Sequence, residues 1–199
     1  MAGVEANARL TGATAAVLLV LLAAEGVTVL RVGQLLTPHV VIGLLLVPPI
    51  LLKMSSTMWK FSRYYLGDPA YRKQGPPATV LRILGPFVIV LTVVMFASGI
   101  ALLFSPNALS GHLLQIHQAS FIVWFAAMTV HVLGHLADTG RLAPKDWFSR
   151  SRRLVPGAGG RQLLLVASLV VGVILAVSLK SHVNSYLVER GANHFGGPH

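Results

Sequence analysis

The 199-residue chain contains no cysteine. That excludes disulfides, thiol-linked haem, cysteine-ligated iron–sulfur clusters and a cysteine nucleophile, while leaving the redox compartment open. Acidic residues are scarce as well: six Asp and Glu stand against sixteen Lys and Arg, for a formal net charge of +10. Charged residues make up 11% of the chain, where a soluble domain has about 25%, and hydrophobic residues make up 54%. With a mean hydropathy of +0.71, the composition implies an all-α integral membrane protein, taken as a single domain over residues 1–199. Such a charge suggests nucleic acid only where it lies on a solvated face. Here it flanks long apolar runs, so the expected partner is the lipid bilayer, and no nucleic acid is expected.

Five runs are long enough to span: 10–31, 35–57, 81–104, 113–137 and 162–180. The first can also be read as a signal peptide, with Arg9 in its basic region, but apolar character resumes after Glu25 and no small-residue cleavage site closes it. In the second, Pro38 suits a first helical turn, and Pro48 and Pro49 should kink the helix. Residues 60–77 and 138–160 read as long basic interfacial loops, and 105–111 as a short turn. No internal repeat or low-complexity tract is present.

Loop charge orients the spans. Lys60, Arg63, Arg72, Lys73 and Arg82 lie on or beside one long loop, and Arg141, Lys145, Arg150, Arg152, Arg153 and Arg161 on or beside the other. The opposite side carries Arg31, Lys180 and Arg190. The positive-inside bias then places the N-terminus in the cytoplasm of a bacterial cell and the C-terminus outside its plasma membrane.

The fourth run, LLQIHQASFIVWFAAMTVHVLGHLA, carries His117, His131 and His135. His117 and His131 are fourteen residues apart, close to four helical turns and about 21 Å, so they share a face. His39 on the second run and His117 on the fourth both fall about one turn below the outer boundary. Two imidazoles at one depth on inward-facing helices suit a bis-histidine haem b, with His39 and His117 on the iron. Gly43, one turn from His39, would leave room for a porphyrin edge. Against this stands the plain reading of each histidine as a polar packing residue near the interface.

The inner level has no matching histidine. Fourteen residues after His39 come Lys53 and Met54. A second haem on His131 and Met54 is one reading; Met54 as a core gap-filler, with Lys53 snorkelling to the cytoplasmic face, is the other. His131 and His135 have metal-binding spacing, but Val132 stands where a zinc protease needs glutamate, so structural hydrogen bonding near Asp138 is an equal reading. Glu25 falls near the depth of the outer pair. It is expected to hydrogen-bond a ligand imidazole, to carry a proton, or simply to be satisfied as a neutral acid. His112, His182, His194 and His199 are expected to be solvated.

The segments His39-Val-Val-Ile-Gly, Ser98-Gly99-Ile-Ala-Leu and His117-Gln-Ala-Ser-Phe-Ile-Val-Trp through His131-Val-Leu-Gly-His135 resemble the core of small bacterial membrane b-type cytochromes, the cytochrome b561 and ferric-reductase-like group. The chain is also similar to uncharacterised actinobacterial membrane proteins across the Lys53 to Pro77 stretch, a likeness that supplies no activity. The cytochrome resemblance covers about half the chain. It implies a four-helix core, built from the second to fourth spans and a neighbour, that passes electrons between quinol and a redox-protein partner. It also implies ligand roles for His39, His117 and His131. The expected function is electron transfer, as the membrane subunit of a hetero-oligomeric redox complex rather than a stand-alone hydrolase. Two alternatives remain open: a non-redox scaffold whose basic loops meet lipid or a partner, and a small transporter using Glu25 and the histidines as a proton path.

Overall fold

The computed structural model describes residues 2–73, 75, 79–105, 107–147, 157–179, 181–185 and 188. They form α1 (Ala2–Leu30), α2 (Val32–Tyr65), the single turn α3 (Pro69–Arg72), α4 (Thr79–Leu102), α5 (Asn107–Trp147) and α6 (Ala158–Ser178). All but α3 are long and apolar enough to cross a bilayer, so the chain is an all-α integral membrane protein. In hydrocarbon each backbone N–H and C=O needs a partner within the protein, and a helix supplies one inside its own segment.

The helices outrun the apolar runs. Residues 60–77 are not one loop, because α2 continues through Lys60 and Arg63 to Tyr65 and is followed by α3. Similarly α5 begins at Asn107 and continues past Asp138 to Trp147. Hydropathy marks where lipid ends, whereas a helix ends where its backbone hydrogen bonds do. Gly67 makes the first break, at φ 93°, a left-handed conformation that glycine adopts without steric cost. Asp68 then caps α3, its Oδ1 accepting from Ala70 N–H at 2.9 Å, and its Oδ2 lies 2.6 Å from Arg63 Nη2. The Ala70 N–H, together with the Arg63 guanidinium, holds this carboxyl below its ordinary range.

Between α1 and α2 the chain reverses over a few residues. The departure from helical backbone inside α2 falls at Leu35 (φ −112°, ψ 27°), not at Pro48 or Pro49. Pro38, three residues later, therefore sits in the first turn of the regular stretch, where a missing N–H costs nothing.

α1 packs along both α2 and α5, and α4 packs along α5, whereas α2 and α4 touch at few points. α6 lies against α2 from another side, where Leu44, Leu103, Ala176 and Val183 form a buried apolar cluster. Outward-facing Val20, Val90, Ile122, Leu133, Leu163 and Val177 are exposed, as a lipid-facing surface requires. Trp124 is buried and donates from Nε1 to Thr92 Oγ1 at 2.8 Å, tying α5 to α4.

The tightest crossing is between α2 and α6. A Cβ on Gly172 would come within 2.5 Å of the Leu45 carbonyl oxygen, backbone that a side-chain rotation cannot move. Gly172→Val should therefore destabilise the protein by about 1–3 kcal/mol, read as a lower thermal unfolding temperature in detergent. Gly159→Ala, in open space on the same helix, should leave it unchanged.

Candidate functional site

At the end of the bundle where α1 turns into α2, the structure brings together Glu25 of α1, His39 of α2 and His117 of α5. His39 Nδ1 lies 2.8 Å from Glu25 Oε1, with the two side chains only 21% and 14% exposed. Nδ1 is thus the ring nitrogen that meets the carboxyl group. The Thr28 hydroxyl lies 2.6 Å from the Glu25 carbonyl oxygen, and 3.2 Å from both Glu25 Oε2 and His39 Nδ1. One turn of α1 thereby brings the carboxylate and a hydroxyl to one nitrogen. Gly43 belongs to this contact: a Cβ there would lie 3.6 Å from Glu25 Oε1. The space beside Gly43 is occupied by the carboxylate.

His117 is held differently. Its Nδ1 lies 2.8 Å from the Met95 carbonyl oxygen on α4, and a carbonyl can only accept, so this imidazole also carries its proton on Nδ1. That carbonyl is open because Ser98 and Gly99 leave room for the ring. Ser98 Oγ turns back onto the Val94 and Met95 carbonyls at 2.8 and 3.0 Å. A Cβ at Gly99 would come within 2.9 Å of His117 Cε1.

The two rings lie side by side with centroids 6.2 Å apart and planes at 74°. Both Nδ1 atoms are engaged, and on His117, whose partner is a carbonyl, the lone pair of the neutral ring is on Nε2. Neither Nε2 has a hydrogen-bond partner among the described residues. Two neutral imidazoles anchored through Nδ1 and open at Nε2 are a donor set for a metal ion with two axial positions.

The other level is arranged otherwise. The rings of His131 and His135 lie with centroids 4.8 Å apart and planes tilted by 59°, and His131 Nδ1 is buried with no hydrogen-bond partner. Lys53 does not snorkel along its helix; it reaches across to α1, donating to the Thr11 carbonyl at 3.1 Å. Met54 lines an open groove of about 450 Å³ with Leu51, Met58, Trp59 and Ile89, and His131 is not among its lining residues. Among the described residues no group of three or more His, Cys, Asp or Glu could hold a metal ion. His182 lies against the Phe104 ring at 4.8 Å, while His194 and His199 lie outside the described residues.

Compared with family models, with curated proteins and with solved structures, the chain matches none. Several contributors to the site had no mark in the sequence beyond their type. Thr28 is one turn from Glu25, a spacing that could have flagged it. The Met95 carbonyl has no side-chain signal, although Ser98 and Gly99 mark the close approach that exposes it.

The Nδ1 anchoring yields a direct test. In nitrogen-15 histidine spectra of the protein in detergent, His39 and His117 should both be protonated at Nδ1. A neutral ring protonated only at Nε2, at either position, would contradict the geometry. Gly99→Val should disturb the His117 signal and leave the His135 signal in place.

Proposed function

We propose that the protein is a membrane b-type cytochrome that binds one haem b through His39 and His117 and carries electrons at that end of the bundle. The observation that supports this most is the pair of imidazoles with free Nε2 atoms, 6.2 Å between ring centres, each anchored at Nδ1. When bound, haem supplies a one-electron iron couple. The chain's own contribution is to hold two ligand rings in one tautomer and to surround them with apolar helix.

Its two anchors differ in charge. Glu25 gives His39 a carboxylate partner, which makes that imidazole the stronger donor, whereas the Met95 carbonyl gives His117 a neutral one. Thr28 fixes the carboxylate's orientation. Glu25 is thus a positioning residue for the His39 ring, and the identity of the axial pair does not depend on it.

In this reading the N-terminus is cytoplasmic, the His39 and His117 end faces outward across a bacterial plasma membrane, and the two basic segments lie inside. Electrons then enter or leave at the outer face, from a quinol or a redox protein, and the chain serves as a subunit of a larger redox complex. A single haem is the proposed complement, because His39 and His117 are imidazoles of two different helices that lie together.

The absorption spectrum of the protein purified after expression with ample haem tests this. A Soret band with reduced α and β bands should be present, and absent in His39→Ala and His117→Ala. Colourless wild-type protein would sink the proposal. Glu25→Gln should keep the bands but weaken haem retention by about 10- to 100-fold. Reporter fusions after Gly157 and at the C-terminus should read cytoplasmic and external, and the reverse result would overturn the orientation.

A further inference from the structure

Away from the haem-type site, the second level of the bundle holds hydrogen-bond donors that nothing in the fold answers. Lys53 is partly buried on α2, and its ammonium has three donor hydrogens. The Thr11 carbonyl at 3.1 Å is its one hydrogen-bond partner among the described residues. The surrounding polar groups are committed to each other: Thr11 Oγ1 donates to Ser56 Oγ at 3.0 Å, Ser56 Oγ to the Lys53 carbonyl at 2.9 Å, and Asn7 Nδ2 to the Ser56 carbonyl at 3.1 Å. On α5, which like α2 packs along α1, His131 lies within electrostatic range of Lys53, and its Nδ1 is buried with no hydrogen-bond partner. No carboxylate pairs with Lys53 among the described residues. A lysine within a membrane span normally has a named partner, and this one lacks its anion.

Depth indicates what kind of anion reaches it. Lys53 lies seventeen residues beyond Leu36, where the regular part of α2 begins, or about 26 Å along the helix. His131 lies twenty-two residues beyond Leu109, about 33 Å along α5. The hydrocarbon core is about 30 Å thick, so both side chains sit where hydrocarbon gives way to phosphate headgroups. Lys60 and Arg63 follow on α2 at the same end and add positive potential.

We propose that Lys53 and His131, between α1, α2 and α5, form a binding site for a phosphate-type oxyanion, presented by an anionic phospholipid headgroup or as free phosphate. Its oxygens accept from the two open ammonium hydrogens and from His131 Nδ1, whose tautomer follows its partner. One negative charge offsets the lysine inside the low-dielectric wedge. The site is independent of haem and stands or falls separately from it.

Delipidated full-length protein in a neutral detergent would be titrated with phosphatidylglycerol, with phosphatidylcholine and with inorganic phosphate. Binding is followed by unfolding temperature and by native mass spectrometry. Phosphatidylglycerol should raise the unfolding temperature saturably and be retained at one copy, while phosphatidylcholine should not. A rise with inorganic phosphate alone would also support the site and identify free anion as its source. Lys53→Met should weaken the response about tenfold or more, Lys53→Arg should keep it, and Lys73→Met, on the exposed turn α3, should leave it intact. His131→Phe should weaken it without removing the lysine. Absence of any response to either anion, an undiminished response in Lys53→Met and His131→Phe, or an equal loss in Lys73→Met would overturn the proposal.

Discussion

A carboxylate inside a membrane protein must be neutralised, paired or moved to water, and Glu25 is paired. Its contact with His39 is the constraint on which the arrangement of this end of the bundle depends. Removing two polar groups from water costs several kcal/mol for each one that is charged, and attraction repays that only in good geometry with the remaining lone pairs satisfied. Here the second oxygen has Thr28, and Gly43 on α2 lets the carboxylate approach. Misaligning α1 by one residue would rotate Glu25 by about 100° and leave both it and His39 unanswered. The pair thus sets the register of α1 against α2.

That register carries through to α5. His39 is held by Glu25, and its ring lies beside that of His117, which is held by the Met95 carbonyl. Each ring is held by a different helix, His39 by α1 and His117 by α4, and the two supporting helices both pack on α5. Ring position is therefore a property of four helices rather than of two ligand-bearing ones. It also explains why α2 and α4 need little contact of their own: the rings are positioned by helices on other sides.

The all-α membrane class and the five spans were legible because hydropathy and length report directly on what a bilayer requires. Helix ends were not, since α2 continues into polar sequence as far as Tyr65, just before the left-handed Gly67, and α5 continues past Asp138 to Trp147. The adjacency of His39 and His117 was legible through depth, a consequence of counting turns along two helices entering from one side. The same counting put Met54 opposite His131. Depth fixes only one coordinate, however; rotation about the helix axis decides which of two neighbours faces inward. Gly43 shows the same limit. Its place near His39 was visible, but the group that fills its space comes from α1, and nothing in the local sequence of α2 announces it.

The fourteen-residue interval occurs on both α2 and α5 and yields two levels of unlike chemistry. At one, each imidazole is anchored at Nδ1 and open at Nε2. At the other, His131 Nδ1 is itself the unanswered atom, so that ring has no fixed tautomer and no second group to hold its plane. A metal ligand whose other nitrogen is free to rotate and exchange its proton is poorly defined in both basicity and direction. The lysine at the corresponding position of α2 brings a positive charge to this level, whereas the other level holds a carboxylate beside its histidine. The two levels therefore differ in the sign of the charge the chain itself supplies.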